Sequence, residues 1–180
     1  NAMIQDITWV AVVQKYPGGI PDHLRALTPL PGYELARRNY ESYVTPDGMD
    51  FKGVYPVTLP VNVVSHNAYR GLPDSSNYWG YDANRENWPH ISKCGVNWGN
   101  DYPGKYGWEG KSGLPTGYLE NLDLRRKVER EALIKTLHYI YYMQNELGEN
   151  WSVADDEYRH PILPRAAEGL PDEWLEIVRR

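Results

Sequence analysis

The sequence is poor in cysteine, in phenylalanine and in long apolar runs. Its 180 residues include one Cys and one Phe. A lone Cys94 excludes an internal disulfide and a cysteine-rich zinc site. No stretch approaches the roughly 18–20 consecutive apolar residues that span a bilayer, so no membrane-embedded segment is predicted. The net charge of −5 disfavours a nucleic-acid binder that works by neutralising phosphates.

The usual nucleotide and hydrolase signatures are also missing. The chain has no GxGxxG, no GxxxxGK followed by Ser or Thr, no HExxH, no GxSxG and no CxxC. A dinucleotide site of the usual construction is therefore excluded, and no cofactor-binding or metal-binding residues are predicted within this chain.

Tyrosine, tryptophan, glycine and proline are abundant instead. The chain holds 15 Tyr, 7 Trp, 16 Gly and 14 Pro. Such a composition predicts buried rings that carry a polar group, together with many turns, and it excludes a coiled coil or a simple helical bundle. We interpret residues 1–3 as a cloning remnant and residues 4–180 as a single domain.

Hydrophobic patterning predicts an α+β fold with a mixed or antiparallel sheet. Ile4–Tyr16 has apolar residues on both faces, which is typical of a central strand. Val54–Val64 also has strand character and is predicted to join the same sheet, where Pro56 and Pro60 restrict it to an edge. Tyr33–Tyr43 places its aromatic residues on one helical face.

One long helix is predicted from Leu122 to Leu147, with Asn121 or Asp123 as the N-cap. Its leucine-rich stripe would face the core. Its charged residues are expected largely on solvent, namely Arg125, Arg126, Arg130, Glu131 and Lys135. A final helix should begin at Pro171. It is short and its Trp174 lacks an evident partner, which suggests a piece of a longer protein.

The region from His66 to Tyr118 has neither helical nor strand periodicity. It contains ten of the 23 aromatic residues and only four Leu, Ile or Val. Disordered segments are poor in aromatics, so we interpret this region as a long, ordered, functional loop that is rich in Gly and Asn.

Within that loop, Gly95–Gly104 carries the first candidate site. Amide, carboxylate and ring groups together suit a sugar or another polyhydroxylated ligand. Turn capping by Asn and Asp, with rings filling the core, explains the same composition. The candidate substrate-binding residues here are Asn97, Trp98, Asn100, Asp101 and Tyr102.

The second candidate site is the acidic run Asp155, Asp156 and Glu157. Adjacent carboxylates could seat a divalent cation, and one with a raised pKa could act as a general acid or base. The alternative is a solvated acidic loop, or ion pairs with Arg125, Arg126 and Arg130. His138 is interpreted as a core histidine, and Cys94 as a small partly buried residue.

Three motifs in order carry a family resemblance. They are Val96-Asn-Trp-Gly-Asn-Asp-Tyr102, an Arg-rich helix that runs into Leu137-His-Tyr-Ile-Tyr-Tyr-Met-Gln144, and Trp151-Ser-Val-Ala-Asp-Asp-Glu-Tyr158. This region resembles the interior of bacterial FAD-dependent oxidoreductases, some of which are labelled xanthan lyase-like. The similarity covers about Val96 to Arg180, and Ile7–Val13 loosely.

The resemblance implies a substrate or cap domain that works with the flavin-binding segments of a parent chain. FAD would belong to that parent, while this chain would bind a small-molecule substrate, for example a carbohydrate-like one, and be inactive alone. Asn100, Asp101, Tyr102, Asp155, Asp156 and Glu157 would lie near the cleft that faces the flavin. The bacterial cytoplasm and the periplasm both stay open as locations.

Two other functions are compatible with the sequence. The Trp, Tyr and Asn residues of the loop fit a carbohydrate-binding or polysaccharide-active domain. Between Glu149 and Arg180 there are eight acidic and four basic residues, and an acidic tail with exposed rings also fits an interaction domain that docks on a protein partner.

Overall fold

The protein has an α+β fold. A computed structural model describes residues 3–43, 50–51, 64–65, 93–96, 100–104, 113–146, 150–157 and 159–180. Its helices are α1 (Tyr33–Tyr43), α2 (Gly117–Glu120), α3 (Leu122–Asn145) and α4 (Asp172–Val178), with 3-10 turns at Asp22–Leu24 and Arg165–Ala167. Its strands are β1 (Met3–Ile4), β2 (Ala11–Lys15), β3 (Asp50–Phe51), β4 (Val64–Ser65), β5 (Lys93–Val96), β6 (Leu114–Pro115) and β7 (Trp151–Val153).

A three-stranded antiparallel sheet occupies the centre of the described fold. Its strand order is β5-β2-β7. Val13 of β2 lies opposite Cys94 on one side and Val153 on the other. Val13 is fully buried, which confirms the prediction of a central strand.

The predicted strand Ile4–Tyr16 is interrupted. Met3–Ile4 pairs with Leu114–Pro115 as a separate small sheet, and only Ala11–Lys15 belongs to the central one. Met3, which we set aside as part of a cloning remnant, therefore takes part in pairing. The prediction that Val54–Val64 feeds the same sheet is wrong where it can be checked, because Val64 pairs with Phe51 in a third sheet. Residues 54–63 lie outside the described residues.

The long helix α3 confirms the strongest helical pattern in the sequence. It begins after Asn121, whose side chain accepts hydrogen bonds from the backbone N–H groups of Asp123 and Leu124 at 2.9 and 3.0 Å. These bonds satisfy two of the donors that a helix leaves free at its start. The helix ends at Asn145, and the predicted stop at Gly148 lies outside the described residues.

The C-terminal half of α3 is buried on nearly every side, which the predicted single stripe did not anticipate. The residues from Thr136 to Ile140 are all buried. The helix is enclosed because α1, the central sheet and the segment from the Arg165–Ala167 turn to α4 pack around it. Tyr33 of α1 lies edge-on to Tyr141, with ring centroids 4.7 Å apart.

The core uses the aromatic residues as the composition predicted. Trp151, Trp174 and Tyr139 are fully buried. The indole N–H of Trp174 donates to the carbonyl of Thr28 at 3.1 Å, and the half-buried Tyr16 donates to the carbonyl of Val153 at 2.7 Å. Burying a ring that carries a donor is favourable when the donor finds an acceptor, which both do.

The interpretation of His66–Tyr118 as one irregular loop is wrong in part. Lys93–Val96 is an edge strand of the central sheet, Leu114–Pro115 is β6, and α2 starts at Gly117. Periodicity missed these pieces because they span only four, two and four residues. Residues 66–92, 97–99 and 105–112 lie outside the described residues.

The final helix has a partner within the chain. α4 starts after Pro171 and buries Trp174 and Ile177 in the common core. The expectation that Trp174 lacks a partner is therefore wrong. In the part of the chain that the structure describes, no helix combines the length and the apolar character needed to cross a membrane.

Candidate functional site

Residues 100–104, which we call the Asn-Asp-Tyr segment, lie against the N-terminal segment that leads into β2. Ile7 and Tyr102 exchange two backbone hydrogen bonds, at 2.9 and 2.7 Å. This isolated pairing fixes the segment beside Asp6 and Thr8. Three of the predicted site residues, Asn100, Asp101 and Tyr102, are thereby held on one short piece of backbone.

Asn100 anchors the segment from inside the protein. It is fully buried, and its Nδ2 donates to the carbonyl of Trp9 at 3.1 Å and to the hydroxyl oxygen of Thr136 at 3.0 Å. Thr136 in turn donates to the same Trp9 carbonyl at 2.7 Å. The Asn100 amide is thus committed to internal contacts, so the residue positions its neighbours.

One face of α3 receives the rest of the segment. Glu131 and Lys135 are four residues apart, and residues at this spacing lie one above the other on a helix. The hydroxyl of Tyr102 donates to Oε2 of Glu131, and Nζ of Lys135 donates to the carbonyl of Asp101. Nζ of Lys135 also lies 3.3 Å from the carbonyl of Pro103.

The N-terminal segment completes the site. Thr8 donates its hydroxyl to Oδ1 of Asp101, and Oδ2 of Asp6 accepts the backbone N–H of Gly104 at 3.0 Å. All the ionisable members of the site are half-buried. We call them the polar cluster: Asp6, Asp101, Tyr102, Glu131 and Lys135.

Partial burial shifts the proton affinities within the polar cluster. Burial lowers the pKa of Lys135 from 10.5 to about 8, although the carboxylates of Asp101 and Asp6 oppose this shift. Burial raises the pKa of Asp6 and that of Glu131 above their usual values. A lysine with a lowered pKa beside carboxyl groups with raised pKa values is typical of functional sites, although structural ion-pair networks also produce such shifts.

Two of the five residues of the polar cluster were predicted from the sequence. Asp101 and Tyr102 were candidates, whereas Asp6 was overlooked and Glu131 and Lys135 were expected largely on solvent. That expectation is wrong, because the Asn-Asp-Tyr segment covers this face of α3. The available signal was the spacing of four between Glu131 and Lys135, but the same spacing is common on exposed helix faces.

The second candidate site is a separate ionic group with partners of its own. Asp155 follows β7 and accepts a hydrogen bond from Nε of Arg180 at 2.8 Å, and it lies 3.2 Å from Nε2 of His23. The bond from Arg180 is the main reason that the pKa of Asp155 lies below its usual range. A general acid with a raised pKa is therefore not found at Asp155.

At Asp155, the predicted ion pair with Arg125, Arg126 or Arg130 is replaced by another partner. Arg125 donates to the carbonyls of Tyr118 and Leu119, and Arg130 donates to those of Ala166 and Glu168. Asp155 instead pairs with Arg180, whose side chain is only 3% exposed. Asp156 and Glu157 are exposed, as the alternative of a solvated acidic loop predicted.

Asn97 and Trp98, the other two candidates of the predicted loop, lie outside the described residues. Within the described ranges, no three His, Cys, Asp or Glu side chains are grouped so that they could hold a metal ion. His138 is buried, and its Nε2 lies 3.2 Å from the carbonyl of Leu30, as expected of a core histidine.

A groove of about 690 Å³ lies at another surface, between the turn at residues 28–31 and the start of α4. Apolar residues such as Leu30, Ile134 and Trp174 share its walls with charged side chains. Two of its polar side chains already bind backbone: Arg130 donates to two carbonyls, and Glu173 accepts the N–H of Thr28 at 3.2 Å. We favour the polar cluster as the functional site because more ionisable groups converge there.

No protein-family model, curated protein or solved structure was found to match this chain.

Proposed function

We propose that this chain is the substrate-side domain of a flavin-dependent oxidoreductase, and that the polar cluster is the part that faces the substrate. One observation carries the assignment to the site. The Asn-Asp-Tyr segment contains the last three residues of the first motif behind the resemblance, and the ionisable side chains converge around this segment.

The chemistry of the polar cluster suits a small polar substrate. Asp101 offers carboxylate oxygens, Tyr102 offers a phenolic hydroxyl and Lys135 offers an ammonium group. Half-burial supplies a surrounding in which such hydrogen bonds are stronger than in water, while access is retained. A hydroxylated or amine-bearing small molecule would find both donors and acceptors here.

No residue of this chain is assigned to the flavin. The sequence has no glycine fingerprint with which a Rossmann unit holds the pyrophosphate of FAD. Under the proposal, the flavin would be bound by other segments of the parent protein and would supply the redox chemistry. The contribution of this chain would be to bind and orient the substrate.

Thermal unfolding in the presence of alcohols, amines, hydroxy acids and sugars tests the assignment to the polar cluster. A ligand at ten times its Kd stabilises the folded state by about 1.4 kcal/mol. That free energy corresponds to a rise in Tm of about 3–6 °C for a chain of this size. We expect such a rise for at least one compound class with the unmodified chain, and its loss in Asp101→Asn.

Asp172→Asn is the matched control, because Asp172 is an exposed aspartate in the first turn of α4, outside the polar cluster. A ligand effect that survives Asp101→Asn, or that disappears equally in Asp172→Asn, would contradict the assignment to the polar cluster.

Two observations test the flavoprotein part separately. The purified chain should show no flavin absorption bands, and stoichiometric bound FAD would overturn the proposal. The reading frame that flanks this chain in its gene should carry a glycine fingerprint after a strand. Its absence on both sides would also argue against the proposal.

A carbohydrate-binding domain makes a different prediction in the same assay. The Asn100 amide cannot contact a sugar while it serves Trp9 and Thr136 inside the protein. A polysaccharide would therefore have to bind largely through other residues of the predicted loop. Saturable binding to a polysaccharide that is unchanged in Asp101→Asn would favour this alternative.

A further inference from the structure

Lys135 binds the backbone of the Asn-Asp-Tyr segment through its ammonium group. Nζ of this residue reaches two carbonyl groups of the Asn-Asp-Tyr segment, those of Asp101 and Pro103. An ammonium group has three N–H donors and can serve both carbonyls at once. A neutral amine has two N–H donors and no charge, so its bonds to carbonyls are much weaker.

Gly104 leaves space for this ammonium group. Its φ is +78°, and a Cβ atom built at this position would overlap Nζ of Lys135. The positive φ favours glycine, and a Cβ atom here would displace the end of the Lys135 side chain from its carbonyl contacts. Nζ of Lys135 thus occupies the space that a side chain at residue 104 would need.

From these contacts we propose that Lys135 is a positioning residue that holds the Asn-Asp-Tyr segment while it is protonated and loosens it when it loses its proton. We call this contact set the lysine clamp. The lysine clamp would set the placement of Asp101 and Tyr102 in the polar cluster. Its bearing on substrate binding rests on the proposed function, whereas its existence does not.

The charged groups around the lysine clamp come from three elements. The N-terminal segment contributes Asp6, the Asn-Asp-Tyr segment contributes Asp101 and Tyr102, and α3 contributes Glu131 one turn before Lys135. Asp101 and Asp6 favour the ammonium form, but burial outweighs them and brings the pKa to about 8. Glu131 is engaged by Tyr102 and lies 3.9 Å from Lys127 on the same helix.

These opposing effects place the loss of the Lys135 proton close to neutral pH. An exposed lysine stays charged up to about pH 10.4, whereas Lys135 should change its charge near pH 8. Since the unfolded chain keeps this proton up to its higher pKa, folding stability should rise as the pH increases from about 8 to 10.5. The lysine clamp would therefore loosen without unfolding the protein.

Selective isotope labelling gives an NMR reporter next to the lysine clamp. With carbonyl-labelled proline and nitrogen-labelled glycine, an NMR spectrum that correlates each amide nitrogen with the carbonyl bonded to it shows only Pro-Gly pairs. The chain has three such pairs, at residues 17–18, 31–32 and 103–104. The Gly104 N–H donates to Asp6 next to the clamp, so its signal should follow the state of Lys135. Gly18 and Gly32 serve as internal controls.

We expect the Gly104 signal to follow one titration curve with a midpoint near pH 8, while the other two signals stay constant between pH 7 and 9.5. In Lys135→Arg, which stays charged, the signal should remain at its low-pH position throughout. In Lys135→Met, which is never charged, it should remain at the high-pH position.

Arg126→Met removes an exposed charge from the same helix, one that pairs with Asp123 outside the polar cluster, and should leave the Gly104 titration unchanged. A Gly104 signal without an inflection between pH 7 and 9.5, or an inflection that persists in Lys135→Arg, would overturn the lysine clamp. The arginine variant retains the charge, so the test stands even if Lys135→Met fails to fold. A normal titration combined with no ligand effect at the polar cluster would refute the proposed function alone.

Discussion

Asn100 provides the sharpest test of how the site is held. Its Nδ2 makes two buried hydrogen bonds, to Trp9 and to Thr136, and each such bond contributes about 0.5–1.5 kcal/mol net. Asn100→Ala should therefore lower the free energy of unfolding by about 1–3 kcal/mol. The Trp9 carbonyl keeps its bond from Thr136 at 2.7 Å, so no further desolvation penalty is added for that group.

Asn145→Ala is the matched control. Asn145 also donates two hydrogen bonds through Nδ2, to the carbonyls of Ala26 and Tyr141 at 2.9 and 3.1 Å. It is exposed, so water can replace these bonds, and alanine is the better helix former. The expected change is below about 0.5 kcal/mol.

Urea unfolding separates the two outcomes. With a slope of about 2 kcal/mol per molar urea, Asn100→Ala should move the midpoint down by about 0.5–1.5 M, with little change in slope. At neutral pH, Asn100→Asp should lower the free energy of unfolding more than Asn100→Ala does. The buried carboxylate would carry a charge and could not donate a hydrogen bond to the Trp9 carbonyl. Equal losses in Asn100→Ala and Asn145→Ala would refute the claim that burial makes Asn100 an anchor.

Three further predictions concern the core, the turn and the ionic group. Trp174→Ala should destabilise the protein by about 3–5 kcal/mol in urea unfolding, against less than about 0.5 kcal/mol for the exposed Leu27→Ala; similar losses would contradict the packing of α4. Gly104→Ala and Gly19→Ala both place a side chain at positive φ, but only the Cβ at residue 104 overlaps a neighbouring atom, Nζ of Lys135. Gly104→Ala should therefore lower Tm further, and the reverse order would contradict the close approach of Lys135 to Gly104. Because the pKa of Asp155 is lowered from 3.8, its stabilising contribution should be present above about pH 4 and lost as the pH falls. The wild type and Asp155→Asn should therefore have similar free energies of unfolding in acid. A difference that stays constant with pH would count against the pairing with Arg180.

The first of the three motifs behind the resemblance ends at Asp101 and Tyr102, and both residues belong to the polar cluster. Because the proposals for the substrate and for the lysine clamp are tested by separate measurements, each can fail alone. The ligand screen addresses the first, and the Gly104 titration addresses the second.

The sequence by itself determined the elements whose signals are local. The helices α1 and α3 were predicted because apolar residues recur at helical spacing over 11 and 24 residues, and Asn121 was one of two predicted caps. The α+β class and the central position of β2 also followed, since apolar residues on both faces of a strand require cover on both sides.

Only the tertiary structure decided which distant residues meet. β5 is too short for periodicity to reveal, and it becomes a strand because β2 offers it an edge. Asp6, Asp101 and Lys135 come from three separate parts of the chain, and their contacts depend on how the Asn-Asp-Tyr segment lies on α3. Half-burial there lowers the pKa of Lys135, and burial is a property of the packed fold that no spacing in the sequence encodes.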